Sequence, residues 1–347
     1  KIRGLGSDYH HGIDQSVGIF IDDVYYPSPN RLIAAMFDIG QIEVLRGPQG
    51  TLFGRNTIAG AILLHTGAVE DDWGLKLDST MGELDWNRHT LVVNAPIVDG
   101  VLATRLAGQY SKREGYVYDR LFDTPNGTST LKSARAKLRY TVSDKLELEL
   151  TAQHQDSLGK GHGDQYHNVP DEWLTYFRLF DPETEGNLDD YAHSTNFYSG
   201  GRSITNDYLA KARFRVLDHD WVFLASYSDS ESDGGLDADY GPSPSILALG
   251  GANSETINTE LRVVSDPGTV EYVAGLYYFW TDQYNLTDVV IAPFIGTGLV
   301  TDLVIPGALE ALINAGFPVI GPFESETGRV EYAQITNSFA AYGQATW

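Results

Sequence analysis

The chain has 347 residues, no cysteine and a formal net charge of −23, from 24 lysines and arginines against 47 aspartates and glutamates. This acidic balance argues against a nucleic-acid partner, because binding to phosphates requires a basic surface. The lack of cysteine excludes disulfides and thiolate metal sites within the chain. No apolar run approaches the ~18–20 residues of a transmembrane helix, whereas a barrel strand needs only about ten alternating residues.

The first 70 residues are rich in glycine and contain short apolar segments at 17–22, 41–46 and 61–65. They lack a sustained alternation of apolar and polar residues, and we predict a small compact α/β unit here. A glycine-rich turn after a strand can bind an anion. However, neither G-x-x-x-x-G-K-[ST] nor a helix-opening G-x-G-x-x-G is present, so no nucleotide site is predicted.

From about residue 72 onwards, the chain contains segments in which apolar and polar residues alternate strictly, separated by turns and loops. In the segment 132–140, for example, Ala136 and Leu138 fall on one face and Lys137 and Arg139 on the other. Side chains of a strand alternate with period two, so each such strand has an apolar face and a charged face. This pattern predicts about ten strands, near 74–83, 88–94, 101–111, 131–141, 145–155, 205–217, 221–229, 256–265, 269–281 and 337–347.

The connections between these segments alternate in length. Short turns rich in Asp, Pro and Gly are expected at 96–100, 142–144, 218–220 and 266–268, and longer polar loops at 112–130, 156–204, 230–255 and 282–336. All long loops then emerge from one end of the sheet, as in up-and-down outer-membrane barrels. A soluble β protein with insertions is the alternative.

The most specific string is IEVLRGPQGTLFGRNTIAGAILLHT, from Ile42 to Thr66. Together with IRGLG at 2–6 and VGIFID at 17–22, it resembles the plug domain of TonB-dependent outer-membrane receptors. The segment NTELRVVS at 258–265 is similar to the barrel of that family. The resemblance implies a membrane all-β protein: an antiparallel up-and-down transmembrane β-barrel, about ten of an expected 22 strands, with a partial α/β plug. We expect plug residues at 1–70 and barrel residues at 71–347, with further plug and barrel segments outside the chain.

The resemblance also implies a function, namely energised uptake of a scarce ligand across the outer membrane. A ferric siderophore is the default ligand, and cobalamin, glycans or aromatic compounds are the alternatives. Implied partners are TonB, through a segment outside this chain, and outer-membrane lipid and lipopolysaccharide. A passive porin-like channel and a soluble β-rich binding module are the rival hypotheses.

Two sets of site residues follow from the resemblance. Plug arginines Arg46 and Arg55 are expected to pair with Glu260 of the barrel in an ion-pair lock, although Glu260 could simply pair with Arg262. The motif glycines are expected to serve turns and close packing: Gly4, Gly47, Gly50, Gly54 and Gly60.

Apical plug turns match the family's ligand-contact positions. The candidates are Tyr9, His10, His11, Tyr25 and Tyr26. Adjacent histidines rarely converge on one ion and no third ligand is evident, so no metal site is predicted. No cofactor is predicted either, and no nucleophile elbow or metalloprotease spacing is present, so we do not expect an enzyme.

Overall fold

The computed structural model describes residues 16–27, 36–48, 57–186, 190–243, 245–291 and 326–347. These residues form a four-stranded sheet, called here the plug sheet, and a ten-stranded sheet, called here the wall. Among them, no helix is long and apolar enough to cross a membrane.

The plug sheet has the strand order β2-β1-β4-β3. Its strands are β1 (Val17–Ile21), β2 (Val24–Tyr26), β3 (Ile39–Arg46) and β4 (Gly60–Thr66). β1 runs parallel to β4, and the other two pairs are antiparallel. All residues of β1 and β2 are buried, which accounts for their nearly continuous apolar sequence. Within the described part of this unit, the regular elements are strands.

The wall is an antiparallel sheet in which strands that follow one another along the chain are neighbours in space. It contains β5 (Gly74–Met81), β6 (Asn87–Val98), β7 (Leu102–Arg113), β10 (Thr128–Ser143), β11 (Leu146–Lys160), β13 (Gly200–Val216), β14 (His219–Asp237), β15 (Ile246–Val264), β16 (Glu271–Ile291) and β17 (Glu326–Thr346). These ten strands confirm the ten predicted from the alternation. The plug sheet ends at Thr66 and the wall begins at Gly74, and the proposed domain boundary at 70/71 lies between them.

The connections differ in length between the two ends of the wall. At one end, called the short-turn end, they comprise residues 99–101, 144–145, 217–218 and 265–270. Connections at the other end hold a small sheet of β12 (Ala192–His193), β8 (Val117–Asp119) and β9 (Thr124–Asn126), and a helix α1 (Asp171–Phe177). This asymmetry is the one predicted from the sequence.

Most of the wall strands that extend beyond their predicted ends do so towards the long connections, whereas β6, predicted to end at 94, continues to Val98 at the short-turn end. The predicted loop at 230–255 is wrong over most of its length, because β14 and β15 stay paired until Asp237 and Leu247. Around Ser230 and Asp233 both faces of the strand are polar. The backbone ladder continues there, but the alternation that reveals a strand in the sequence has ended.

The two faces of the wall have opposite character. The inner face, which contacts the plug sheet, carries the predicted polar residues, and on β10 it includes the buried Arg135 and Lys137. The outer face leaves large apolar side chains uncovered: Leu75 is 77% exposed, Leu276 61% and Phe339 80%. An apolar surface of this extent is typical of a lipid-facing barrel wall.

The outer face should therefore not tolerate charge. We expect Leu150→Arg to destabilise the full-length protein in lipid vesicles by about 2–4 kcal/mol, because Leu150 lies on the outer face, half-exposed, within the apolar band. Urea titration followed by heat-modifiable gel migration measures the change. Leu217→Arg is the control, since Leu217 is 87% exposed in a short turn. Equal unfolding midpoints for the two variants would contradict lipid contact by this face.

Candidate functional site: the interface between the plug sheet and the wall

The hairpin that joins β1 and β2 turns through two aspartates with left-handed backbone. Asp22 has φ 49° and Asp23 has φ 73°, and the residues on either side of the turn, Ile21 and Val24, pair with each other. Two-residue hairpin turns with two positive φ angles usually contain Asn-Gly or Asp-Gly. Such a conformation costs a non-glycine residue of order 1 kcal/mol, so two carboxylates in this turn call for a compensating contact.

Asp22 has such contacts on both carboxylate oxygens. Its Oδ1 accepts a hydrogen bond from the Thr66 amide at 2.8 Å, and Oδ2 accepts one from the Thr66 hydroxyl at 2.6 Å. The Lys137 Nζ of wall strand β10 lies 3.2 Å from Oδ2. The Lys137 side chain is only 4% exposed, so this pair is buried between the plug sheet and the wall.

Asp23 makes a second contact of the same kind with the neighbouring part of the wall. Lys211 Nζ of β13 donates to Asp23 Oδ2 at 2.8 Å and to the Asp22 carbonyl oxygen at 3.2 Å. Both lysines lie in the short-turn half of their strands, since β10 ends at Ser143 and β13 at Val216. We call Asp22, Asp23, Lys137 and Lys211 the turn latch.

The latch keeps its aspartates ionised. Burial on its own would raise the pKa of Asp22, but the Lys137 ammonium and the Thr66 hydrogen bonds outweigh it and hold the pKa below its ordinary 3.8. Burial likewise opposes ionisation of Asp23, and the Lys211 ammonium lowers its pKa below 3.8. A carboxyl with a lowered folded-state pKa stabilises the fold above its ordinary pKa and loses this contribution as the pH falls through the lowered value. The latch is therefore stable at neutral pH and weakens only in acid, below about pH 4.

A further ion pair fixes the other side of the plug sheet. Arg105 of β7 holds Asp38 through two hydrogen bonds, from Nε at 2.8 Å and Nη2 at 2.6 Å. Gly67 lies directly against this pair, since a Cβ there would come within 2.6 Å of Arg105 Nε and 2.7 Å of Asp38 Oδ1. Because residue 67 is a glycine, its backbone can lie this close to the ion pair between Arg105 and Asp38.

Two more arginines of β10 bind the plug side through backbone oxygens. Arg135 donates to the Phe37 carbonyl at 2.9 Å and stacks over the Phe37 ring at 4.3 Å. Arg139 donates to the Val69 carbonyl at 2.8 Å and pairs with Asp71. Counting Lys137, Lys211 and Arg105, five wall cations have partners among the described residues between 22 and 71.

Apolar contacts complete the interface on both faces of the β1–β2 hairpin. On one face, Tyr25 packs against Phe20 at 5.6 Å and against Phe279 of the wall at 5.7 Å between ring centroids. On the other face, Tyr26 shares an apolar cluster with Leu224 of the wall. Both tyrosines are buried, and their rings join the hairpin to the wall.

Comparison with known proteins places this arrangement in a family. Residues 1–61 match the TonB-dependent receptor plug domain. A segment covering 29% of the chain is 31% identical to the pesticin receptor of Yersinia pestis, and one covering 26% is 32% identical to the catecholate siderophore receptor Fiu of Escherichia coli K12. These segments cover 15% and 12% of the two relatives.

Solved structures match over nearly the whole chain. The ferric yersiniabactin uptake receptor FyuA from Yersinia pestis superposes with a TM-score of 0.65 at 17% identity, covering 96% of this chain and 52% of that one. The siderophore receptor PiuA from Acinetobacter baumannii gives 0.62 at 14% identity, covering 94% and 47%. The chain thus spans about half the length of these structures.

The chain thus carries the plug domain of TonB-dependent receptors. The plug sheet is part of the receptor's plug domain, and the wall is part of its outer-membrane β-barrel. The family consists of transport receptors rather than enzymes.

In this receptor the predicted lock residues do not meet within the described chain. Glu260 lies 3.7 Å from Arg262 and accepts a hydrogen bond from Tyr342, whereas Arg46 is exposed at the end of β3 and forms no ion pair with Glu260. Arg55 lies outside the described residues. The lock between plug arginines and Glu260 stays a prediction.

The predicted glycines fall partly within the structure. Gly47 has φ 97° and Gly60 has φ 153°, both favoured by glycine, and the Gly47 amide donates to the Ala59 carbonyl at 3.1 Å. Gly4, Gly50 and Gly54 lie outside the described residues.

The predicted ligand-contact residues also divide into two groups. Tyr9, His10 and His11 lie outside the described residues. Tyr25 and Tyr26 are buried against the wall, so contact with a ligand would require the hairpin to move. Their ligand-contact role stays a prediction.

Sequence reasoning missed the turn latch, although two signals point to it. One is the Asp22-Asp23 pair in a two-residue turn where glycine or asparagine is usual. The other is a lysine between small or apolar neighbours on the wall, as in Ala136-Lys137-Leu138 and Ala210-Lys211-Ala212. Neither signal identifies the partner, because the plug and wall segments are more than 100 residues apart.

We expect Asp22→Asn to loosen the plug. Asparagine tolerates the left-handed backbone, so the substitution removes mainly the charge and leaves Lys137 buried without its counter-ion. Removing one partner of a buried pair costs about 3 kcal/mol. Hydrogen exchange in the full-length receptor should show this loss as a lower opening free energy for residues 17–26.

The matched control is the double variant Asp22→Asn with Lys137→Met. It removes both charges, so most of the lost protection should return. Unchanged exchange in the single variant, or no recovery in the double variant, would contradict a buried ion pair at this position.

We expect Gly67→Ala to disrupt the ion pair between Arg105 and Asp38. The added methyl group displaces the Arg105–Asp38 pair, at an expected cost of roughly 2 kcal/mol for lost hydrogen bonds to charged groups. Faster amide exchange over residues 36–46 would report it. Gly74→Ala is the control, because its Cβ would meet only the Asn94 Cβ at an ordinary 3.5 Å.

Proposed function

We propose that the full-length receptor takes up a scarce ligand across the outer membrane in an energised, plug-gated step, and that this ligand is a ferric siderophore. The single observation that carries the gating is the seated plug hairpin, which occupies the inner face of the wall through the turn latch. A passive pore has no use for such a plug.

The latch suits a plug that must be held and then moved. Buried ion pairs fix position strongly, because separating the partners within the protein leaves a buried charge. Their net contribution to stability is small compared with an apolar core, since both charges regain hydration once they reach water. A pulling force that moves the hairpin into water therefore has to overcome a free-energy barrier while the charges separate. The free energy of the final state, in which both charges are hydrated, is raised only a little. TonB, the partner implied by the family, would supply this pull.

The choice of ligand rests on the relatives. The matched proteins include a catecholate siderophore receptor and a ferric yersiniabactin uptake receptor. Cobalamin, glycans and aromatic compounds are the alternatives within the family.

Uptake of labelled iron tests the proposal. In iron-limited host cells that lack their other siderophore receptors, deletion of this receptor should abolish accumulation of at least one ⁵⁵Fe-siderophore from a panel of catecholate, hydroxamate and phenolate chelates. The intact gene should restore accumulation only when TonB is present. The siderophore assignment would be wrong if deletion left the accumulation of every iron chelate unchanged but abolished the uptake of radiolabelled cobalamin or glycan.

Planar-bilayer conductance separates gated transport from passive diffusion. The full-length receptor should show almost no steady conductance, because the hairpin is held in place by the latch. A stable open pore in the unmodified receptor would contradict the gated mechanism.

A further inference from the structure

The turn that joins β14 to β15 is fastened to the connection between β11 and β13. The Asn196 amide of that connection donates to the Gly241 carbonyl at 3.1 Å and to Asp237 Oδ2 at 3.2 Å. In the opposite direction, the Asp237 amide donates to the Ser199 hydroxyl at 2.8 Å. Asp237 ends β14, beyond the polar stretch at 228–233, so this contact lies above the lipid-facing apolar band.

The same connection binds two other segments through carboxylates. The Ser194 hydroxyl donates to Asp181, which follows helix α1, and the Thr195 hydroxyl donates to Asp119 of β8 at 2.5 Å. Both carboxylates accept backbone amides as well. Three successive residues, ending with Asn196, thus donate to carboxylates from three different segments. The contact of Asn196 with the end of β14 is what joins the β14–β15 hairpin to this set.

Asp237 lacks the donors that an ionised carboxylate needs. The residue is 0% exposed, and its Oδ1 receives no hydrogen bond from any residue that the structure describes. The Asp239 carboxylate lies within hydrogen-bond reach of the Asp237 side chain. Among the described residues, no lysine or arginine forms an ion pair with either carboxylate. An ionised Asp237 would therefore be a buried charge beside a second acid.

Asp239 is supplied in the opposite way. Its two oxygens accept four hydrogen bonds of 2.9–3.2 Å, from the amides of Gly241, Ser245 and Ile246 and from the Ser243 hydroxyl. Of the two acids, Asp239 is thus the one built to carry the charge. A proton on Asp237 then donates to Asp239, which gives the pair the hydrogen bond it otherwise lacks and avoids two adjacent negative charges.

The other titratable groups around this turn do not provide a cation. The hydroxyls of Tyr166 and Tyr176 approach it, the former donating to the Asp239 carbonyl oxygen at 2.5 Å. Burial raises the pKa of both phenols, so both stay protonated. His162 packs edge-on against Tyr240 at 5.1 Å between ring centroids, and burial lowers its pKa, so the imidazole is neutral at pH 7.

The protonation of Asp237 makes this contact depend on pH. Burial and the adjacent Asp239 carboxylate raise the pKa of Asp237 to about 8. Because this folded-state pKa lies above the ordinary 3.8, the contact is most stable in acid, weakens as the pH rises from about 4 through 8, and then levels off. The turn latch has the opposite dependence, since it weakens in acid.

We propose that Asp237 and Asp239 form a proton-binding joint, which fixes the β14–β15 hairpin to the connection between β11 and β13 while one proton is shared between them. Loss of the proton releases the hairpin. The external pH then sets how firmly the long connections are held together, tightly in an acidic medium and loosely in a mildly alkaline one. This control lies above the membrane and does not depend on which ligand the receptor transports.

Hydrogen exchange of the full-length receptor tests the joint at the Asn196 and Asp237 amides, which donate across it. The protection factor is used because it removes the pH dependence of the exchange chemistry itself. With one proton bound on closing, the opening equilibrium changes about tenfold per pH unit below the raised pKa. Protection at pH 7 should therefore be roughly hundredfold lower than at pH 5.

Asp237→Asn should remove this pH dependence. The asparagine amide donates to Asp239 as the shared proton does, and it cannot ionise. Protection of the Asn196 amide should then stay at pH 7 near the value that the unmodified receptor shows at pH 5. Asp164→Asn is the matched control, because Asp164 lies in the same connection with a side chain 72% exposed, and the roughly hundredfold change should persist in it.

His162→Gln separates the joint from the nearby histidine. A buried histidine with a lowered pKa destabilises its surroundings in acid, which is the opposite sign, so the fall in protection between pH 5 and pH 7 should persist in this variant. Heat-modifiable migration verifies that each variant is folded.

Three results would overturn the proposal. The first is equal protection of the Asn196 amide at pH 5 and pH 7 in the unmodified receptor, a result that needs no variant. The second is the same pH dependence in Asp237→Asn as in the unmodified receptor. The third is protection that falls towards acid and loses this trend in His162→Gln, which would identify His162 as the titrating group.

Discussion

The arrangement of plug and wall depends on one constraint, which is that a lysine buried in a barrel lumen must have a counter-ion. Lys137 and Lys211 are almost fully buried, and their carboxylates come from the Asp22-Asp23 turn. An unpaired ammonium at either position would cost several kcal/mol. The hairpin is therefore fixed both in height and in rotation against the wall, and the burial of Tyr25 and Tyr26 on its two faces follows from that position.

The inner face of the wall is not uniform along its height. Near the short-turn end it presents cations that bind the plug, including Arg105, Arg139 and Lys211. Towards the long connections it presents small neutral polar side chains, such as Ser226, Ser228 and Thr256. Neutral hydroxyls hold a neighbouring surface less strongly than paired charges do. Among the residues that the structure describes, the charged contacts between plug and wall thus lie mainly towards the short-turn end, and breaking them removes most of the described restraint on the hairpin.

The sequence predicted the wall more completely than it predicted the site. Strict alternation fixed which side chains face inwards, because a period of two leaves no freedom once one residue is assigned. The end of β14 was missed because its outer-face residues become polar above the membrane. The end of β15 was missed because residues 246–252 are small or apolar on both faces, so the contrast between the faces is lost there as well. The latch could not be predicted because it joins Asp22 to Lys137 across segments whose relative position only the folded sheets define. The expected polarity, with plug arginines bound to a barrel glutamate, contrasts with the described pairs, in which the plug supplies the carboxylates.

The same alternation links the inside of the wall to its outside. Lys137 points to the plug, while its neighbours Ala136 and Leu138 lie on the lipid-facing outer face. Lys211 points inwards in the same way, and its neighbour Ala210 lies on the outer face opposite Leu150. A shift of one residue in the register of either strand would carry a lysine into lipid and an alanine against Asp22 or Asp23. The ion pairs in the lumen and the apolar surface outside therefore favour the same register. A shifted register would lose both, so its free-energy cost is higher than either feature alone would impose.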